Sequence, residues 1–170
     1  SLADLAAGGS LATSDGSLVF GNFSVSLPAT VAGDANALAG LDLSIFEVEV
    51  FASGVGFRVL ELDGPIAVGG SQVGSLRIDF DVVAGDGFAI SGVGLAMTAT
   101  AIGTGALAEI VETLSGAGGS ASLHVIRESG GAQQLIDELI LAEAVQGLHV
   151  SKDIFVDVRD AAALAVQISE

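Results

Sequence analysis

The chain has no Cys, no Trp, no Tyr and one Met, and only five of its 170 side chains are Lys or Arg. Without Cys there is no disulfide, no thiol nucleophile and no thiolate metal site. Active sites draw heavily on His, Cys, Lys and Tyr. With two His and so few of the rest, the composition suits a thin β scaffold better than a catalytic pocket. Positive charge is equally scarce: 21 Asp and Glu leave a formal charge of −16. An acidic surface repels phosphate backbones and anionic lipid headgroups, so neither nucleic acid nor a membrane surface is an expected partner. It can attract cations, so Ca²⁺ or Mg²⁺ could bind weakly and relieve repulsion, and no cofactor is expected.

Long charge-free runs are also rare. One, Gly87–Ala108, is long enough to span a bilayer. Its glycines and its scatter of Ser and Thr make a poor lipid-facing helix, and Gly103-Thr104-Gly105 reads as a turn. Two apolar strands are the reading, with no membrane insertion. The opening SLADLAAGG has no basic region and no apolar core of signal-peptide length.

What is present is small and apolar. Hydrophobic residues make up 51% and mean hydropathy is +0.71, much of it from Ala and Val. One domain over 1–170 is the default, burying roughly 70% of its unfolded surface. Alternation recurs along it. Leu76, Ile78, Phe80 and Val82 interleave with Arg77, Asp79 and Asp81, the pattern of a half-buried strand. Phe46, Val48 and Val50 alternate with Glu47 and Glu49, and Val55, Phe57 and Val59 share one face of the next segment. In 17–27, Leu18, Phe20 and Asn22 oppose Val19, Gly21 and Phe23, so this strand is expected to be apolar on both faces at its start. Further strands are expected over 120–127, 148–150, 153–158 and 163–168, and turn signals such as Ser14-Asp15-Gly16, Gly85-Asp86-Gly87 and Ser129-Gly130-Gly131 separate them. The fold class is all-β: an antiparallel sandwich or barrel-like domain with at most one or two short helices. The core is expected to hold Phe20, Phe46, Phe57, Ile78, Phe80, Val82 and Val156.

Three segments compete as helices. Leu2–Ala7 is short. Thr104–Leu114 leans to strand. Gln133–Gln146 is balanced between the two, because Leu135, Ile136, Leu139 and Ile140 have helical spacing and Gly147 would end a helix.

Candidate chemistry is sparse. His124 and His149 lie in expected strands, with no neighbouring Ser or Asp in a nucleophile pattern, and read as surface or satisfied core residues. Asp79 and Asp81 share a strand face. A carboxylate pair can act as acid and base when its surroundings split the two pKa values, but Arg77 beside them points to a solvated face. Asp63-Gly64 and Gly85-Asp86-Gly87 offer oxygens for Ca²⁺ without the spaced acidic loop of a dedicated site. Gly54-Val55-Gly56 and Gly92-Val93-Gly94 lack the third glycine of a phosphate loop. Lys152 and Arg159 read as isolated charges on a solvated face. No catalytic, cofactor-binding or metal-ligating residue is assigned.

Two end regions carry a resemblance. Leu2-Ala3-Asp4-Leu5, then Phe20-Gly21-Asn22-Phe23-Ser24, and near the other end Val150-Ser151-Lys152-Asp153-Ile154 followed by 163–169, resemble the mature parts of secreted bacterial proteins that carry a PEP-CTERM sorting signal. The Pro-Glu-Pro tail itself is missing, as are the cysteines frequent near the start of such proteins. The resemblance implies export to the surface or extracellular matrix of a Gram-negative bacterium and no enzyme activity. The expectation is therefore a non-enzymatic structural module of matrix, cell surface or filament. It would self-associate into a homopolymer through β-strand contacts, with matrix polysaccharide as a further partner. Residues 1–13 would form an N-terminal arm, either a donor strand for a neighbour or packed on their own domain. The alternative is a secreted module binding carbohydrate or another small ligand, for which Phe would have to replace the usual Trp or Tyr platforms.

Overall fold

The computed structural model describes residues 1–53, 57–63, 66–116, 119–159 and 163–169. One short helix, α1 (Leu2–Ala6), is capped by Ser1, whose hydroxyl accepts the Asp4 N–H. Strands β1 (Leu11–Ala12) and β2 (Leu18–Ser26) follow, then a small hairpin, β3 (Thr30–Val31) and β4 (Asp34–Ala35), and a 3-10 turn at Leu43–Ile45. Next come β5 (Glu47–Ser53), β6 (Phe57–Asp63), β7 (Ile66–Gly69) and the long β8 (Val73–Ala84). The rest of the chain is β9 (Ile90–Ala96), β10 (Thr98–Gly103), β11 (Leu107–Gly116), β12 (Gly119–Glu128), β13 (Gln133–Gln134), β14 (Ile136–Val145), β15 (Gly147–Asp157) and β16 (Ala163–Ser169).

Seven strands form one antiparallel sheet in the order β1-β2-β8-β15-β11-β12-β13. Smaller sets, β10-β16-β7, β9-β14 and β5-β6, pack on it. A single apolar core lies between the layers. The strict alternation of β8 sends Leu76, Ile78, Phe80 and Val82 inward and Arg77 outward, as its sequence requires. Six of the seven expected core residues, Phe20, Phe46, Ile78, Phe80, Val82 and Val156, are buried. Val55 and the side chains of Phe57 and Val59 lie outside the described residues.

Two of the three competing segments form strands, the one that leans to strand and the balanced one. Residues 107–116 form β11, and residues 136–145 form β14 rather than a helix. The charge-free run 87–108 becomes β9 and β10, and no helix among the described residues is long and apolar enough to cross a membrane. Residues 1–13 are seated on their own domain. Leu2 and Leu5 are buried, the Leu2 N–H donates to the Phe46 carbonyl (3.0 Å), and Leu11–Ala12 pair with Val19–Phe20 at the sheet edge.

Strand β2 departs from plain alternation. Its register against β8 shifts between Gly21 and Ser24, and Asn22 takes a left-handed backbone (φ 55°). The extra residue of this bulge brings Phe20 and Phe23 to the same side. Both are buried, and their rings sit 6.3 and 5.3 Å from that of Phe80. The expectation that Phe23 faces away from Phe20 is corrected by this bulge.

Two polar features hold the layers. Asn36 is buried and uses its whole amide: Nδ2 donates to the Pro28 and Ser75 carbonyls, and Oδ1 accepts from the Leu38 and Ser75 N–H groups. It pins the β3–β4 excursion to β8. Lys152 is 8% exposed and Glu112 4% exposed. They stand cross-strand on β15 and β11, on the core-facing side, with Nζ 3.5 Å from Oε2. Lys152 is therefore an interior ion-pair residue and not the solvated charge its sequence neighbourhood suggests. Arg159 is not isolated either: its guanidinium bonds Asp157 and Asp34.

Candidate functional site

The outer face of the seven-stranded sheet gathers the polar side chains that β8 and β15 turn away from the core. Their register places Asp81 opposite His149, Asp79 opposite Ser151 and Arg77 opposite Asp153. His149 Nδ1 lies 2.8 Å from Asp81 Oδ1, and its Nε2 is 3.8 Å from Asp79. The β2 bulge aims Asn22 across the same face, where its Nδ2 donates to Asp81 Oδ2 (2.7 Å). Arg77 donates to both oxygens of Asp79 and to the Ser151 hydroxyl, and that hydroxyl donates to Asp79.

These contacts set the charge state. The Asn22 amide, followed by the His149 ring, holds the Asp81 carboxyl below its ordinary range. The Arg77 guanidinium does the same for Asp79, against the cost of partial burial and with help from Ser151. Both carboxylates are ionised acceptors at neutral pH. Ser151 is buried, and its hydroxyl is bonded to Asp79 and Arg77. The pattern orients two carboxylate acceptors and a ring.

Beside this network lies an open depression of about 350 Å³, lined by Asp81, Val83, Ser115, Gly116, Gly147 and His149 among others. Glycine leaves it open on the outer face: a Cβ at Gly147 would stand 3.9 Å from the Val83 side chain. Exposed Val83 pairs cross-strand with exposed Val19 and gives the depression an apolar rim. His149, half exposed at 50% of its side chain, stands at the polar rim.

The other singled-out residues lie elsewhere. His124 sits on β12, its Nε2 2.8 Å from Glu109 and its backbone N–H bonded to Asp137. Asp86 occupies an exposed turn and Asp63 ends β6. Neither joins three or more ligating side chains among the described residues. The residue missed from sequence is Asn22, whose role depends on a positive φ that only an Asn amid apolar β residues hints at.

No family model matches the chain, and no curated protein matches it. Among solved structures it is similar to a carbohydrate-binding module, TmCBM61, solved in complex with β-1,4-galactotriose. Identity is 15% over 87% of this chain and 84% of that one, with a TM-score of 0.41.

Proposed function

We propose that this chain is a non-catalytic binding module that holds a neutral carbohydrate on the outer face of its long sheet, beside His149. The carrying observation is the fixed Asp81 carboxylate, oriented by Asn22 and His149 at the rim of the glycine-floored depression. A carboxylate held this way accepts hydrogen bonds from adjacent sugar hydroxyls, and the imidazole edge supplies a further polar contact. Val83 and Val19 meet the C–H face of a pyranose ring, the part that needs an apolar surface. Uronic or sulfated sugars are disfavoured by the charge of −16. An extracellular setting, as the terminal motifs imply, suits a module that grips matrix polysaccharide.

Calorimetric titration with neutral oligosaccharides tests this. Binding is expected to weaken at least about tenfold in Asp81→Ala and in His149→Ala, with circular dichroism unchanged. Binding indifferent to both substitutions, or no binding by any neutral oligosaccharide up to millimolar concentration, overturns the reading.

A further inference from the structure

Strand β14 is apolar on both faces. Leu139 and Leu141 point inward and pack on the core. On the outer face stand Ile136, Glu138 and Ile140, and the two isoleucines are 64% and 88% exposed. Their partners on β9 are Ala96, Gly94 and Gly92, so two branched side chains rise beside a floor that is nearly bare. Single exposed aliphatics are ordinary; two on one short ribbon, flanking a glycine floor, form a recessed apolar surface that marks an interaction site.

The charge around it is one-sided. β9 and β14 carry no Lys or Arg, whereas β14 carries Asp137, Glu138 and Glu143. Asp137 is turned to β12, where it accepts the His124 N–H. Glu138 stays on the outer face between the two isoleucines. A second copy of the chain fits badly. Antiparallel pairing of β14 with itself centred on Ile140 sets Asp137 opposite Glu143, and centring on Glu138 sets that carboxylate against its own copy. Like charges directly opposite are destabilising.

From this charge complementarity we propose that the outer face of the β9–β14 ribbon docks an extended segment of a partner protein in which aliphatic residues and Lys or Arg succeed one another at every second position, so that both kinds lie on the docking face. An aliphatic side chain seats over Gly92 and Gly94 beside Ile140, and a cationic one meets Glu138. The surface belongs to the ribbon layer and is separate from the His149 depression on the long sheet, so either assignment stands without the other.

The probe is a strand-length peptide in which Val and Lys succeed one another at every second position with Ser between them (the Lys–Val peptide), labelled for fluorescence anisotropy, with a control of equal charge in which Ser replaces each Val (the Lys–Ser peptide). The Lys–Val peptide is expected to bind the intact chain and to lose at least about tenfold in affinity in the double variant Ile136→Ser, Ile140→Ser and in Glu138→Lys. The Lys–Ser peptide is expected to bind at least about tenfold more weakly. Melting temperature is expected to hold in every variant, since the three side chains lie outside the core; should the double variant unfold, Glu138→Lys carries the test alone. Equal affinity for all variants, which is general attraction to an acidic protein, overturns the proposal, as does failure of Lys–Val to bind. A dimer of the intact chain in ultracentrifugation that Ile140→Ser dissolves assigns the face to a second copy and overturns it as well.

Discussion

Phe23 stands where strict alternation from Phe20 would send it to solvent, and Asn22 is the reason it does not. A left-handed backbone costs most residues about 1–2 kcal/mol, and Asn tolerates it better than most. Asn22→Ala should therefore lose both that tolerance and the hydrogen bond to Asp81, destabilising by roughly 2 kcal/mol. Asn22→Gly, which keeps the backbone freedom, should lose about half as much in urea denaturation. An Ala variant as stable as the parent would mean that the bulge does not depend on residue 22. The Lys152–Glu112 pair makes a different prediction. Removing one member, as in Lys152→Met or Glu112→Leu, leaves a charge facing the core and should cost about 3–5 kcal/mol, and the double variant should recover most of that loss. A double variant no better than the single ones would show the pair itself to be needed for folding. Sequence could not place these residues. Lys152 lies between Ser151 and Asp153, which reads as surface, and only the cross-strand register reveals Glu112, 40 positions away, as its neighbour.

Elements were legible where the two faces of a strand differ in polarity. β8 and β5 alternate charge with bulk, and their burial follows that pattern. β14 was not legible, because a Leu-Ile pair repeated after four positions serves a helical stripe as well as a strand with one aliphatic on each face. The long-range partners of His149 were equally hidden, since a cross-strand contact 68 residues away leaves no local signature. The N-terminal element permits a direct test. Burying Leu2 and Leu5 contributes roughly 1.5–3 kcal/mol each, and β1 adds edge pairing. Deleting residues 1–13 should lower stability by several kcal/mol, and a peptide of that sequence should restore the melting temperature by binding only the folded state. An unchanged melting temperature after deletion would contradict the docked geometry.

At the scale of the molecule, charge dominates. Asp79 and Asp81 titrate below their ordinary value when folded. Their stabilising contribution is thus fully present above about pH 4, the unfolded value, and is lost as pH falls through the lower folded value. Comparing the parent with the double variant Asp79→Asn, Asp81→Asn removes the background effect of the other carboxylates. The gap in melting temperature should be constant from about pH 7 down to about pH 4 and should close below that. A gap that widens on acidification would reverse the assigned sign.

The position of β15 in the long sheet has a temporal consequence. It lies between β8 and β11, yet it is made after both, so β8 lacks one of its two neighbours until residue 157 has been synthesised. Chains dominated by such distant pairings fold slowly, because loop closure must be met before any contact rewards it. A vectorially emerging chain therefore holds β8 without that neighbour from residue 84 until residue 157 is made. During that interval dispersed negative charge, and not native structure, keeps the chains apart.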